Sequence, residues 1–441
     1  MLQQPIDEAA SSPLARAPGG YPKQGTGRPR VVILGAGFAG LNAAMGLRSA
    51  DVDVTVIDRR NYHLFQPLLY QVATAGLSPA QVAMPIRRIL GGQKNTAVLM
   101  ERVEGIDPEA RLVRTENRSI AYDYLVIATG ARHAYFGHDE WEAVAPGLKT
   151  IGDATEIRAR VLTAFERAEA AGDPETRRRL LTFVVVGGGP TGVEMAGAIA
   201  ELAKKAIVGE FRSIDSSTAS VVLIEAGDRL LPAFPEPLSQ SARRQLERLG
   251  VEVRLGAAVT GCDAEGVALS DGWRIGSRCV IWAAGVMASK AAAWLHAVAD
   301  GAGRVVVCRD LCVPGYPEIF AIGDTALVKD GSGRPVPGVA PAAKQMGRYV
   351  ARSIRARLAG KAMAPFNYAD FGNLATIGRL AAVADFGRFR LTGLPAWFVW
   401  SLAHLWFLVG FRNRVVVFLD WAWAYATFDR SARLITGRDD H

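Results

Sequence analysis

The stretch Val31-Val32-Ile33-Leu34-Gly35-Ala36-Gly37-Phe38-Ala39-Gly40 decides the fold. Its four apolar residues in succession read as a strand buried on both faces, and the three glycines mark a tight turn into a helix. Leu41 to Leu47 continues as small and apolar residues, and a second strand, Val52 to Ile57, ends on Asp58. Together these make a complete βαβ unit. Its chemistry follows from the spacing. Gly35 permits the turn, Gly37 lets a pyrophosphate approach the backbone, and Gly40 lets helix and strand pack closely. The helix start then offers unpaired N–H groups and the positive end of its dipole to phosphate, while Asp58 would accept hydrogen bonds from a ribose.

The same unit recurs. Thr182 to Val186 reads as a strand, Gly187-Gly188-Gly189-Pro190-Thr191-Gly192 as the turn, Val193 to Ala206 as the helix, and Val221 to Ile224 as a strand ending on Glu225. Gly187, Gly189 and Gly192 take the three glycine roles. A carboxylate at the Glu225 position favours a free ribose 2′-OH and repels a 2′-phosphate, so NADH is expected over NADPH. Arg229, four residues on, tempers that preference. Two dinucleotide sites in one chain imply hydride transfer between two cofactors, with FAD the natural second one. Three further apolar runs close on small residues or a carboxylate: Tyr124 to Gly130, Val280 to Gly285, and Ile319 to Asp324. Such endings let backbone approach a bound nucleotide.

The composition is consistent with this reading. Half of the 441 residues are hydrophobic and 21% are charged, which excludes wholesale disorder. The net charge of +8 lacks a clustered recognition motif, so no nucleic-acid partner is expected, and an anionic membrane surface is the better match. Residues 1–28 are polar and rich in Pro and Gly, without the apolar core of a signal peptide, and are expected to form a loose tail. Cys262, Cys279, Cys308 and Cys312 form no CxxC and read as reduced structural thiols, while the histidines show no metal-ligand spacing.

The last 60 residues change character. Five of nine tryptophans lie beyond position 395. Pro395–Gly410 has twelve apolar residues in sixteen and Val415–Phe428 twelve in fourteen, with Arg412, Arg414, Arg430 and Arg433 around them. Both runs fall short of the roughly 20 residues that a spanning helix needs. Trp and Arg at their edges suit an interface, so a monotopic helical hairpin in one leaflet is expected. A buried homodimer interface and a short transmembrane hairpin are the alternatives.

Taken in order, GxGxxG, ATG, GGGxTGVE, WAAG and AIGD resemble the two-dinucleotide-binding-domain flavoproteins. Asn61-Tyr62-His63-Leu64-Phe65-Gln66-Pro67-Leu68-Leu69-Tyr70-Gln71-Val72-Ala73 and Phe371-Gly372-Asn373-Leu374-Ala375-Thr376-Ile377-Gly378-Arg379 narrow the likeness to type II NADH dehydrogenases, the single-subunit, non-pumping NADH:quinone oxidoreductases. The resemblance spans about residues 30–435. It implies an α/β fold with two Rossmann-like domains, an FAD domain interrupted by an inserted NADH domain, and a C-terminal helical membrane-association region. The expected organisation is a tail at 1–28, FAD domain at 29–152 and 286–378, NADH domain at 153–285, and amphipathic or apolar membrane-binding helices at 379–441.

The resemblance assigns FAD to Gly35, Gly37, Phe38, Ala39, Gly40, Asp58, Thr129, Gly130, Gly323 and Asp324. NADH falls to Gly187, Gly189, Thr191, Gly192, Glu225 and Gly285. Glu194 matches a carboxylate placed near flavin and nicotinamide and is expected to handle protons or position substrate, the plain alternative being a helix-start carboxylate favoured by the dipole. The family's AQxxxQ quinone motif aligns with Ala340-Pro341-Ala342-Ala343-Lys344-Gln345. Pro341, Ala342, Lys344 and Gln345 are therefore the expected quinone residues, with Gln345 also catalytic and Pro341 standing where the family has glutamine. The implied partners are a membrane quinone (ubiquinone or menaquinone) and the lipid surface at the cytoplasmic face. Three other readings share parts of the pattern: a soluble NADH-dependent ferredoxin or rubredoxin reductase, a sulfide:quinone oxidoreductase, and a non-enzymatic FAD-binding redox sensor.

Overall fold

A computed structural model describes residues 27–430 and 432–436, so most of the expected tail at 1–28 lies outside the described residues. The chain opens with β1 (Arg30–Leu34), α1 (Phe38–Gly46), β2 (Asp53–Asp58) and β3 (Thr96–Met100). β4 (Tyr124–Ile127) and a short β5 (Ala131–His133) follow. α2 (Ile151–Ala170) starts from a capping box between Thr150 and Asp153, which satisfies orphan N–H groups of its first turn. Next come β6 (Thr182–Val186), α3 (Pro190–Glu201), β7 (Ser220–Glu225), β8 (Val251–Leu255), β9 (Cys279–Trp282) and β10 (Val286–Ala288). β11 (Cys312–Val313), β12 (Tyr316–Ala321) and α4 (Ala340–Leu358) return the chain to the first domain.

The first sheet has the order β11-β12-β4-β1-β2-β3, so strands from both ends of the chain share it. β1 runs parallel to β2 and β4, in the register Arg30↔Asp53 and Val31↔Tyr124. The second sheet, β8-β7-β6-β9, is parallel throughout. Central strands reading Val-Val-Ile-Leu and Phe-Val-Val-Val suit these positions because both of their faces are buried. An antiparallel ribbon of β5 on β10, with Ala131↔Ala288, bridges the two sheets. The α/β class with two Rossmann-like units read from the sequence is thus the observed architecture.

The C-terminal part departs from expectation at its start. Helices were expected from residue 379, but β13 (Asn373–Gly378), β14 (Ala381–Asp385) and β15 (Arg390–Thr392) form an antiparallel sheet. The reason is packing. Ala382, Val383 and Ala384 are fully buried, and β13 lies so close on α3 that a Cβ on Gly197 would stand 1.7 Å from the Ile377 carbonyl oxygen. Only after Gly393 do α5 (Leu394–Phe407) and α6 (Phe411–Thr427) begin.

Both helices are apolar on two faces. α5 buries Ala396, Trp397 and Trp400, while Phe398, Leu402 and Trp406 point to solvent at helical spacing. α6 buries Val417 and Trp421 and exposes Phe411, Phe418 and Trp423. The buried tryptophans join the hydrophobic core of the second domain. Trp400, 1% exposed, anchors this packing, and its truncation to alanine would cost about 3–5 kcal/mol. Among the described residues no helix is long and apolar enough to cross a membrane.

Candidate functional site

The two turns are built alike. A Cβ on Gly35 would lie 2.4 Å from the Ala128 carbonyl oxygen, and one on Gly40 only 1.9 Å from the Gly35 carbonyl oxygen. A Cβ on Gly187 would meet Ala283 at 2.7 Å, and one on Gly192 the Gly187 carbonyl oxygen at 1.8 Å. By contrast Gly37 and Gly189, the helix N-caps, face nothing within 4 Å and carry no capping side chain. That is a cradle that leaves the first helical N–H groups to a phosphate.

Each acidic partner is held in place by backbone. Asp58 accepts hydrogen bonds from the Ala36 and Arg60 N–H groups at 2.7 and 2.8 Å. Glu225 accepts them from Gly188 and Gly227 at 2.5 and 2.7 Å. Arg229 donates instead to the Pro232 carbonyl at 3.0 Å, which commits it to its own loop and sharpens the expectation against a 2′-phosphate. Asp324 sits in a 3-10 turn next to Thr325, whose hydroxyl accepts from the Gly130 N–H at 2.7 Å. A Cβ on Gly323 would touch Ala39 and Ala343, so the first glycine turn, the GD motif and the start of α4 converge. These residues fit a dinucleotide such as FAD.

Glu194 stands in the first turns of α3 and faces a cavity of about 100 Å³ lined also by Tyr70, Glu201, Thr376, Arg379 and Tyr425. Burial pushes its carboxyl up to about 8, against a smaller opposing pull from the Thr376 backbone. Trp421 donates to the Gln71 side chain at 2.8 Å, and Gln71 donates to the Tyr70 hydroxyl at 2.9 Å. Burial and the Glu194 charge raise the Tyr70 phenol well above its usual range. Two helical turns on, Glu201 accepts from the Arg379 N–H and pairs with Arg430 at 3.4 Å. Burial raises the Glu201 carboxyl despite Arg430. Arg430 also donates to the Thr74 carbonyl at 2.8 Å. Glu201 and the Tyr70–Gln71–Trp421 chain carried no catalytic role in the sequence reading, and Arg430, expected at a membrane interface, is instead largely buried against Glu201. The spacing of Glu194 and Glu201, seven apart and so on one face of a helix, was the available signal.

The quinone motif divides. Pro341 occupies the first turn of α4, where its missing N–H costs nothing. Lys344 lies 4.4 Å from the Phe407 ring and 5.1 Å from the Phe38 ring, bringing α5 and α1 together around one ammonium. Burial, with help from Arg348 and Arg414, lowers it to about 8. Gln345, expected to be catalytic, spends both ends of its amide on Ala369. It donates to the carbonyl at 2.8 Å and accepts from the N–H at 3.0 Å, because the 366–372 loop passes directly over it. Ala342 is buried behind the turn.

Other candidates settle into packing. His404 stacks on Trp400 at 4.2 Å, and burial lowers it to about 4. All four cysteines are free thiols, and burial pushes Cys279 and Cys312 up to about 12. Among the described residues no cluster of His, Cys, Asp or Glu could hold a metal.

Comparison with known proteins adds to this geometry. Residues 29–347 match the family model for pyridine nucleotide-disulphide oxidoreductases, and residues 371–431 that for the NDH2 C-terminal domain. The chain is 46% identical over 424 residues to the type II NADH:quinone oxidoreductase Ndh of Mycobacterium tuberculosis, an alignment covering 93% of this chain and 90% of the relative. It is 44% identical over 436 residues to NdhA of the same organism, covering 95% and 92%. The fold is shared with the solved structure of NDH2 from Plasmodium falciparum in complex with NADH. The TM-score is 0.85 at 22% identity, over 93% of this chain and 100% of that one.

Proposed function

We propose, for a chain that belongs to the type II NADH:quinone oxidoreductases, that its two glycine cradles bind FAD and NADH and that a quinone is reduced beside the C-terminal helices. Bound FAD would take a hydride from NADH and pass two electrons on. The paired cradles carry this reading, because each presents open helix N–H groups beside a backbone-held carboxylate. Gly35, Gly37, Phe38, Ala39, Gly40, Asp58, Thr129, Gly130, Gly323 and Asp324 would hold FAD. Gly187, Gly189, Thr191, Gly192, Glu225 and Gly285 would hold NADH.

The chain's own groups then divide the work. Glu225 selects a free ribose 2′-OH, since a 2′-phosphate would face its carboxylate. Glu194 keeps its proton to about pH 8 and so can supply one to the reduced quinone. α4 starts without a capping side chain, so the positive end of its dipole favours negative charge developing in front of it. Lys344 offers an ammonium to a quinone oxygen, with Pro341 and Ala342 shaping the wall. Gln345 acts as a positioning residue through its clamp on Ala369.

The exposed faces of α5 and α6 would seat the protein in one leaflet at the cytoplasmic side, giving a water-insoluble quinone a way in. A second copy of the chain is the alternative occupant of that face. A sulfide reaction gains no support from Cys279 and Cys312, since burial holds both thiols far above the range of a reactive thiolate. The test is anaerobic. NADH should bleach the flavin of the purified holoenzyme, and a ubiquinone or menaquinone analogue should restore its colour. Reoxidation by ferredoxin or oxygen but never by a quinone would overturn the proposal.

A further inference from the structure

Phe136 is an exposed phenyl on a costly backbone. It is 70% exposed, and its φ of +53° lies in the left-handed region, which bulky side chains rarely adopt. Its neighbours are firmly held. Tyr135 is buried, packs on Trp282 at 5.2 Å and donates to the Ala145 carbonyl at 2.9 Å. His138 stacks on Trp141 at 4.2 Å. Trp282 donates to the carbonyls of both Ala134 and Ala284, at 2.9 and 2.8 Å. The two anchored flanks thus impose the strained turn at Phe136–Gly137, and the ring they present gains little burial in return.

The ring rests on Gly285, where a Cβ would stand 2.6 Å from its Cζ. Gly285 follows β9, whose end adjoins the phosphate turn: Gly187 packs on Ala283. In the order β8-β7-β6-β9, Glu225 ends β7 on one side of that turn and Gly285 lies on the other. A dinucleotide crossing the end of β6 with its adenosine ribose at Glu225 therefore extends its other half toward Gly285. That half also faces the ribbon of β5 and β10, which leads to Thr129 through its contact with Ser289 at 2.5 Å.

We propose that Phe136 contacts NADH, its phenyl leaving Gly285 to pack on the nicotinamide–ribose end of the dinucleotide. The proposal rests on the Gly187–Gly192 cradle being the NADH site. Aromatic stacking explains why the anchored loop presents a phenyl to solvent in a strained conformation. The contact concerns only the nicotinamide end, so two ligands separate it from a structural role. Binding of NAD⁺ and of ADP-ribose to the holoenzyme would be measured by calorimetry for wild type, F136A and F136W. F136A should weaken NAD⁺ about tenfold, leave ADP-ribose unchanged and raise the NADH KM by a similar factor, without moving the quinone KM. F136W should retain wild-type NAD⁺ affinity. Equal weakening of both ligands, or no change in either, would overturn the contact. Failure of wild type to bind ADP-ribose at all would overturn the site itself, and the contact with it.

Discussion

The two βαβ turns use the same three glycines and the same backbone-held carboxylate, yet the helices behind them differ. α1 buries Ala39, Gly40, Leu41, Ala43 and Ala44 and is laid against α4, where Gly347 lets backbone meet backbone at Ala39. α3 lies instead on β13 through Gly197 and turns Glu194 and Glu201 into a cavity. A turn followed by a sealed helix suits a cofactor that stays. A turn followed by a helix with ionisable groups in a cavity suits a substrate that comes and goes while protons move. The phosphate grip is common to both, and the difference lies in what each helix packs against.

The largest test of this contrast is a pair of variants. Gly40→Val should abolish flavin binding and lower NADH oxidation by a factor on the order of 100 or more, because a side chain there meets the Gly35 carbonyl. Gly192→Val should keep its flavin but lose reduction by NADH to a similar extent. Flavin absorbance and stopped-flow reduction read the two out, and loss of flavin in Gly192→Val would collapse the distinction.

Glu194→Gln sharpens the comparison next. Turnover should fall roughly 100-fold, as for loss of a general acid, with a smaller effect on NADH binding. The wild-type rate should decline as pH rises through about 8, and that limb should vanish in the variant. Stability follows the same titration. The folded-state value lies above the usual carboxylate range, so this group's contribution is complete at pH below that range and is lost as pH rises through about 8. Thermal melts of variant and wild type should therefore diverge in the variant's favour between about pH 5 and pH 8.

Glu225→Ala should raise the NADH KM about tenfold by removing a held acceptor. It should yield little NADPH activity, because Arg229 stays tied to Pro232. Efficient NADPH turnover in that single variant would show Arg229 to be free to move. The smallest change is expected for Lys344→Met: a quinone KM raised a few-fold, an unchanged NADH KM, and loss of the rise in quinone KM through about pH 8 that loss of the ammonium charge imposes, with the pH limb of turnover left to Glu194. A shift in NADH KM of equal size would place Lys344 on the wrong side of the comparison.

Both cradles were legible because their geometry is local. The glycine spacing, the helix start and the next strand's last residue lie within one supersecondary unit, and sterics at Gly35, Gly40, Gly187 and Gly192 leave no other residue type. The clamp of Gln345 on Ala369 was not legible, because a motif reports position, whereas its amide partner arrives from 24 residues away. The strands at 381–392 were missed because a short Ala-Val run beside two apolar helices carries no period of its own, and its burial comes from α5 and the helix Glu236–Arg248.

Composition and pattern alone determined two nucleotide turns, the carboxylate that ends the strand after each, and a C-terminal region too apolar to face water unaided. Only the tertiary structure decided that the Glu194 carboxyl, which the family resemblance had already singled out, would be buried in a cavity with its proton retained. The cavity draws its walls from residues 70–76, 194–206, 376–379 and 421–430, and the raised value of Glu194 is a desolvation effect of those walls closing together. No local spacing encodes that, because desolvation depends on everything within several ångströms and on nothing in the sequence order.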